Sequence, residues 1–202
     1  MTTRVKICGV TSVADALLAA EAGANGAVVV LGINATTRAT GAGTVVAVSG
    51  DRIRILTAKH VAVFGGLSVR FDGRTTVSAR IVTMVAGRDL AVLEAIVPPQ
   101  LASGLHAARI GAARPDERVT IAGSDPDGHL DTEAGAVSQV GGVLPDGPAN
   151  GRFALRCALC HIGDSGAGVF NAAGDLIGVY VGYWTYDNGE RVSVAELPAG
   201  GT

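Results

Sequence analysis

From residue 27 onward the sequence breaks into short apolar runs closed by turn residues, and that rhythm leaves few folds open. The first runs are 27–33, 43–48, 53–57, 67–71, 76–85 and 90–97. Between them stand Ser49-Gly50-Asp51, Gly65-Gly66 and Asp72-Gly73, residues that relieve φ or bond their own backbone in turns. Runs this short suit strands, and no helical stripe separates one from the next. Residues 98–115 read as a connector. A second cluster follows at 118–122, 134–140, 152–156, 166–170, 176–181 and 191–194. Two like clusters with a connector predict an all-β chain of two β-barrels packed side by side, at about 26–103 and about 115–197.

Composition agrees with strands and tight turns. Of 202 residues, 29 are glycine and 48% are apolar, enough for a sizeable core. The net charge is −2 and no basic stripe is visible, which argues against a nucleic-acid partner. No apolar run reaches the length of a membrane span, so no membrane partner is expected. Asp15 and Glu21 interrupt the apolar stretch that an export signal would need. Three cysteines, an odd and small number, imply no disulfide framework.

Residues 1–25 read differently. Arg4 to Cys8 form a strand candidate, and Ser12 with Asp15 resembles a capping box. Val13, Leu17 and Ala20 share one helical face, and Gly23 stands where a helix commonly stops. This predicts a strand-helix extension ahead of a β domain at 26–202.

Three stretches carry chemistry: Thr57-Ala58-Lys59-His60, Asp89-Leu90-Ala91-Val92-Leu93 and Gly163-Asp164-Ser165-Gly166. A serine hydroxyl is a poor nucleophile unless a base takes its proton. Imidazole titrates near neutral pH and suits that task, and a carboxylate can fix its tautomer. Glycines around a serine let the backbone turn sharply and aim N–H groups at a developing oxyanion.

These motifs, in this order, resemble those of the chymotrypsin-fold (trypsin-like) serine proteases: T-A-A-H, D-[IL]-A-[LV]-[LV] and G-D-S-G. Gly174-Asp175-Leu176-Ile177-Gly178-Val179 resembles the family's strand after the nucleophile loop. The likeness covers about residues 27–197. It implies two packed Greek-key β-barrels of the chymotrypsin type and hydrolysis of a peptide or protein substrate through an acyl-enzyme. It also implies roles: Ser165 as nucleophile, His60 as general base, Asp89 as the orienting carboxylate. The N–H groups of Gly163 and Ser165 would form the oxyanion hole. The substrate pocket would draw on Leu159, Cys160, Val181, Gly182 and Tyr183, a set without an evident countercharge, which points to small or apolar substrate side chains. No cofactor and no metal is expected.

The chain departs from the family in three ways. Ala167 replaces the second glycine of G-D-S-G-G. The cysteines that flank the histidine in secreted animal members are missing. No I-V-G-G-like sequence precedes Ala27, so Asp164, which a freed N-terminus holds in many members, requires an internal partner.

Other signals keep alternatives open. Cys157-Ala158-Leu159-Cys160-His161 fits the C-x-x-C-H haem-attachment pattern, a local disulfide, a metal site or plain packing. Asp125, Asp127 and Asp131 form an acidic turn without an EF-hand pattern. Tyr183, Trp184 and Tyr186 either border the substrate cleft or pack a hairpin, and His106 and His129 read as surface residues. Arg4 to Thr11, Asp15-Ala16 and Ala22-Gly23-Ala24 resemble the start of phosphoribosylanthranilate isomerase, whose catalytic base would be Cys8. One βα unit cannot close that family's barrel. A non-catalytic binding module on the protease fold is the other alternative.

Overall fold

The structure, a computed structural model, describes residues 26–33, 38–71, 75–124, 129–144, 147–158, 160–161, 163–187 and 191–198. The expected strand-helix extension, its Cys8, Leu159 of the pocket set, and Asp125 and Asp127 of the acidic turn lie outside the described residues.

The first cluster forms β1 (Ala27–Ile33), β2 (Arg38–Ser49), β3 (Arg52–Ala58), β4 (Ser68–Phe71), β5 (Thr75–Met84) and β6 (Leu90–Ile96). They close a barrel in the order β1-β2-β3-β6-β5-β4, every pairing antiparallel. Alternation sets which side chains enter it: Val28 and Val30, then Ile53 and Ile55, are fully buried on successive inward positions. Burying each such side chain is worth about 1.5–3 kcal/mol.

The second cluster forms β7 (Arg118–Ser124), β8 (Leu130–Val140), β11 (Arg152–Arg156), β12 (Gly168–Asn171), β13 (Leu176–Thr185) and β14 (Arg191–Glu196). Its closed order, β7-β8-β11-β14-β13-β12, repeats the order of the first barrel. The sequence shows no internal repeat, yet the topology is duplicated. Between β8 and β11 sits a small hairpin, β9 (Val143–Leu144) with β10 (Gly147–Pro148), which the sequence pattern does not announce.

The barrels share an apolar seam. One buried cluster draws Ala27, Leu56 and Leu90 from the first barrel and Ala122, Phe170, Leu176 and Val179 from the second. Across it the Ala42 N–H donates to the Ser165 carbonyl at 2.8 Å. Among the described residues, two one-turn helices break the strand pattern: α1 (Lys59–Ala62) after β3 and α2 (Pro99–Ala102) in the connector.

Candidate active site

His60 stands in α1, a helix too short to be legible from periodicity. Ala58, its N-cap, offers no side-chain cap. The cap comes instead from the turn before β6: the His60 N–H donates to Asp89 Oδ1 at 2.9 Å, and the Lys59 N–H to the Asp89 carbonyl at 3.0 Å. One residue thus satisfies two of the orphan donors of the helix start. The other oxygen of the same carboxylate, Oδ2, lies 2.6 Å from His60 Nδ1. The short bond fixes Nδ1 as the ring nitrogen facing the carboxylate, and both ring and backbone of His60 are held by one side chain.

Asp89 is held in turn from the second barrel. Its N–H donates to Glu196 Oε1 at 3.3 Å, and Arg88 Nε lies 3.5 Å from Glu196 Oε2. The Arg88 guanidinium also donates to the carbonyls of Leu197 (2.8 Å) and Gly151 (2.9 Å). Arg88 and Glu196 therefore tie the turn that carries Asp89 to β14. The sequence reading missed both, because neither is near the other in the chain.

Ser165 lies in the loop between β11 and β12. Its neighbours are fixed by backbone bonds: the Gly166 N–H donates to the Tyr180 carbonyl, and the Tyr180 N–H to that of Ala167, both at 2.8 Å. Gly166 adopts φ +91, and a side chain there would sit 2.1 Å from the Ala42 carbonyl oxygen. No other residue type fits both the angle and the space. At Gly41 the gap is equally tight: a Cβ would meet the Ser165 carbonyl oxygen at 2.6 Å and Val61 Cγ2 at 2.8 Å. The serine loop and the helix that carries His60 thus converge on one glycine of β2.

Asp164 has the internal partners that the sequence called for. It is 1% exposed, and its Oδ2 accepts the His161 N–H at 2.7 Å and lies 3.4 Å from His161 Nδ1. Burial pushes its pKa up, while the His161 N–H and ring and the Ser124 backbone hold it down. Gly163 has φ 119, and its carbonyl accepts the Ser124 hydroxyl at 3.0 Å.

Cys157 and Cys160 form a disulfide, with Cα atoms 5.6 Å apart, which leaves neither thiol for a haem or a thiolate metal site. A local disulfide was one of the alternatives open for this C-x-x-C-H stretch; spacing alone does not distinguish a bonded pair from a packed one. Next to it, Glu133 is buried on β8 with Oε2 3.1 Å from Cys157 Sγ and Oε1 3.9 Å from His161 Nε2. Desolvation, then the charge of Asp164, raises its pKa from 4.5 to about 7. A protonated Glu133 can donate to the sulfur, which as half of a disulfide carries no proton of its own.

That shift has a direction in stability. Folded Glu133 keeps its proton above pH 4.5 where the unfolded chain loses it, so its contribution is complete below 4.5 and is lost as pH rises through about 7. Glu133→Gln, which stays neutral, is expected to gain about 3 kcal/mol on wild type across that window. Thermal unfolding at pH 4 and pH 8 checks it; parallel profiles would return Glu133 to an ordinary carboxylate.

Of the other pocket candidates, Val181, Gly182 and Tyr183 line a cavity of about 240 Å³ together with Trp184, Asp89 and Glu196. Cys160 is fully buried in the core of the second barrel. Tyr183, Trp184 and Tyr186, at and just past the end of β13 where it pairs with β14, are 40%, 45% and 43% exposed. A second cavity, about 400 Å³, is lined by His60 and Asp89 and by Lys59, Val63, Gly87 and Arg88.

Residues 41–179, spanning most of both barrels, match the trypsin-like peptidase domain. The chain belongs to that family. The trypsin-like peptidase domain here has two closed six-stranded barrels, the chymotrypsin-type architecture. No curated protein matches the chain. Among solved structures it is similar to the HtrA-type protease AlgW with tripeptide, with a TM-score of 0.74 and 20% identity over 90% of this chain and 59% of that one. It is similar to the Rv3671c protease from M. tuberculosis in its active form, with a TM-score of 0.71 and 17% identity over 98% and 87%. It also matches the serine endoprotease from Yersinia pestis, with a TM-score of 0.70 and 22% identity over 91% and 62%. At these identities the likeness concerns fold. The chain spans 59% of the AlgW structure's length.

Proposed function

We propose that the chain is a serine endopeptidase that cleaves peptide bonds through an acyl-enzyme, with Ser165, His60 and Asp89 as its triad. The observation that carries this reading is the double grip of Asp89 on His60, 2.6 Å to the ring and 2.9 Å to the backbone, beside a serine loop whose Ser165 carbonyl accepts the Ala42 N–H of β2. In this reading Nε2 of His60 takes the Ser165 proton as Oγ attacks the scissile carbonyl. The imidazolium that forms is stabilised by Asp89 and then protonates the leaving amine. Water repeats the sequence to release the acyl group. The N–H groups of Gly163 and Ser165 receive the oxyanion, a contribution of about 10²–10³ in rate for one donor. Peptide is the natural class of substrate, since the AlgW structures hold a tripeptide and a decapeptide. The protease unit is taken as residues 26–202, with 1–25 as an extension.

Asp89→Asn is expected to lower kcat about 10⁴-fold, because the amide disfavours the imidazole tautomer in which Nε2 is free to accept a proton. Turnover of a casein-type substrate by folded wild-type and variant protein checks it. A fall of less than tenfold would remove Asp89 from the orienting role. Absence of turnover by the folded wild type, with or without residues 1–25, would favour the non-catalytic binding module.

A further inference from the structure

The sequence offered no countercharge among the residues assigned to the substrate pocket, but the folded chain brings one. Arg191, the first residue of β14, faces Thr185 across the β13–β14 ladder. Its side chain turns back toward the pocket set. The guanidinium lies over the Tyr183 ring, 3.5 Å from its centroid, and donates to the Cys160 carbonyl. Cys160 precedes the serine loop and Tyr183 follows it in β13, so Arg191 bridges the two walls named for the pocket. The spacing from the nucleophile suits a side-chain pocket. Tyr180 is bonded to Gly166 and Ala167, and Tyr183 lies three residues further along β13. At about 3.3 Å per residue that is roughly 10 Å, the reach of a long side chain from a carbonyl under attack.

The charge on Arg191 faces no close carboxylate among the described residues: none comes within 4.0 Å of its guanidinium. Glu133 feels its charge, but Glu133 is buried and pushed toward the neutral form, while Arg191 itself is exposed. A guanidinium has five N–H donors. Stacking on Tyr183 fixes its plane, one donor is used on Cys160 and another faces the Tyr180 hydroxyl, which leaves further pre-oriented donors for a carboxylate.

We propose that Arg191 makes this pocket selective for acidic side chains, so that the substrate carries Glu or Asp immediately before the scissile bond. The proposal rests on the peptidase reading above. Its electrostatic part needs only the pocket, and can be tested without turnover.

The test has two arms. In the first, wild-type protein is given peptides that differ only at the residue before the scissile bond: Glu, Asp, Ala, Leu or Lys. The expected kcat/KM for Glu or Asp exceeds that for Ala and Leu by about tenfold or more, the usual size of one charged hydrogen bond. Arg191→Ala is expected to erase that ratio, and Arg191→Glu to move the preference to Lys. In the second arm, Ser165→Ala protein is titrated with cleavage-product peptides ending in Glu or Leu, with fluorescence anisotropy as the readout. The Glu-ended peptide is expected to bind about tenfold more tightly, and the difference to vanish with Arg191→Ala. Equal binding of both peptides in the second arm overturns the proposal even if no turnover is found. Faster cleavage of the Leu peptide by Arg191→Ala than by wild type, with no loss on Glu, would make Arg191 a plug and not a receptor. Failure of the first arm with success of the second would fault the catalytic reading and leave the pocket standing.

Discussion

Ser165→Ala is expected to reduce peptide hydrolysis by at least about 10⁴-fold while leaving the fold intact. The size follows from the covalent route: without the hydroxyl there is no acyl-enzyme, and what remains is the catalysis that binding and the oxyanion donors supply, about 10³–10⁴ over water in related triads. The fold is spared because the backbone at this position does the structural work. It is the Ser165 carbonyl that accepts the Ala42 N–H at 2.8 Å and the flanking Gly166 N–H that bonds Tyr180. The side chain is only part-buried, so shortening it to a methyl leaves no large void. Two measurements check this. A fluorophosphonate probe should label wild-type protein and leave the variant unlabelled, and the thermal unfolding midpoints should agree within a few degrees. Equal labelling of both proteins would take the nucleophile role away from Ser165.

The two barrels were legible from residue chemistry because both signals are local. Val28 and Val30, or Ile53 and Ile55, alternate on one strand, and glycine-rich turns cut the strands to length. The triad candidates were legible for a similar reason, since each sits in a short motif. What stayed hidden depends on partners distant in sequence. Helix α1 is four residues long and carries no cap of its own; it exists because the Asp89 carboxylate reaches its N–H from the turn before β6. Nothing around Glu196 marks it as a partner of the Asp89 N–H, because that contact spans the seam between barrels. Arg191 read as the start of a strand, and its charge acquired meaning only when its side chain met Tyr183 and Cys160. His161 was seen only as the last residue of a C-x-x-C-H pattern. Its work is at Asp164, three residues on, where a bent loop and not a helix brings the two together. The twin strand orders of the barrels escaped notice because topology repeats without any repeat of residues.

The internal anchoring of Asp164 carries the second large expectation. Asp164→Ala should lower kcat/KM by about 10²-fold or more and destabilise the protein by about 2–4 kcal/mol, since it strands buried backbone donors. The carboxylate is 1% exposed and accepts the His161 N–H at 2.7 Å, so removing it leaves that part-buried donor without its acceptor. The same residue sets the path of the backbone into Ser165: the Ala167 N–H bonds the Asp164 carbonyl at 2.7 Å, and the Asp164 N–H bonds that of His161 at 3.3 Å. With the side-chain anchor gone, the turn that presents the Gly163 and Ser165 N–H groups is held by its bonds to Tyr180, Ala42 and Ser124 and by these two local backbone bonds. Asp164→Asn separates the two effects. Its amide oxygen can still accept the His161 N–H, which should recover most of the stability. Its NH₂ group then replaces the other carboxylate oxygen, Oδ1, which faces the β7 backbone at Gly123, so the loop should remain misaligned and activity low. Urea unfolding gives the stability of each variant, and kcat/KM together with fluorophosphonate labelling rate gives the state of the oxyanion loop. Full activity in Asp164→Ala would mean that the loop is set by its backbone bonds alone and that the His161–Asp164 pair has no part in catalysis.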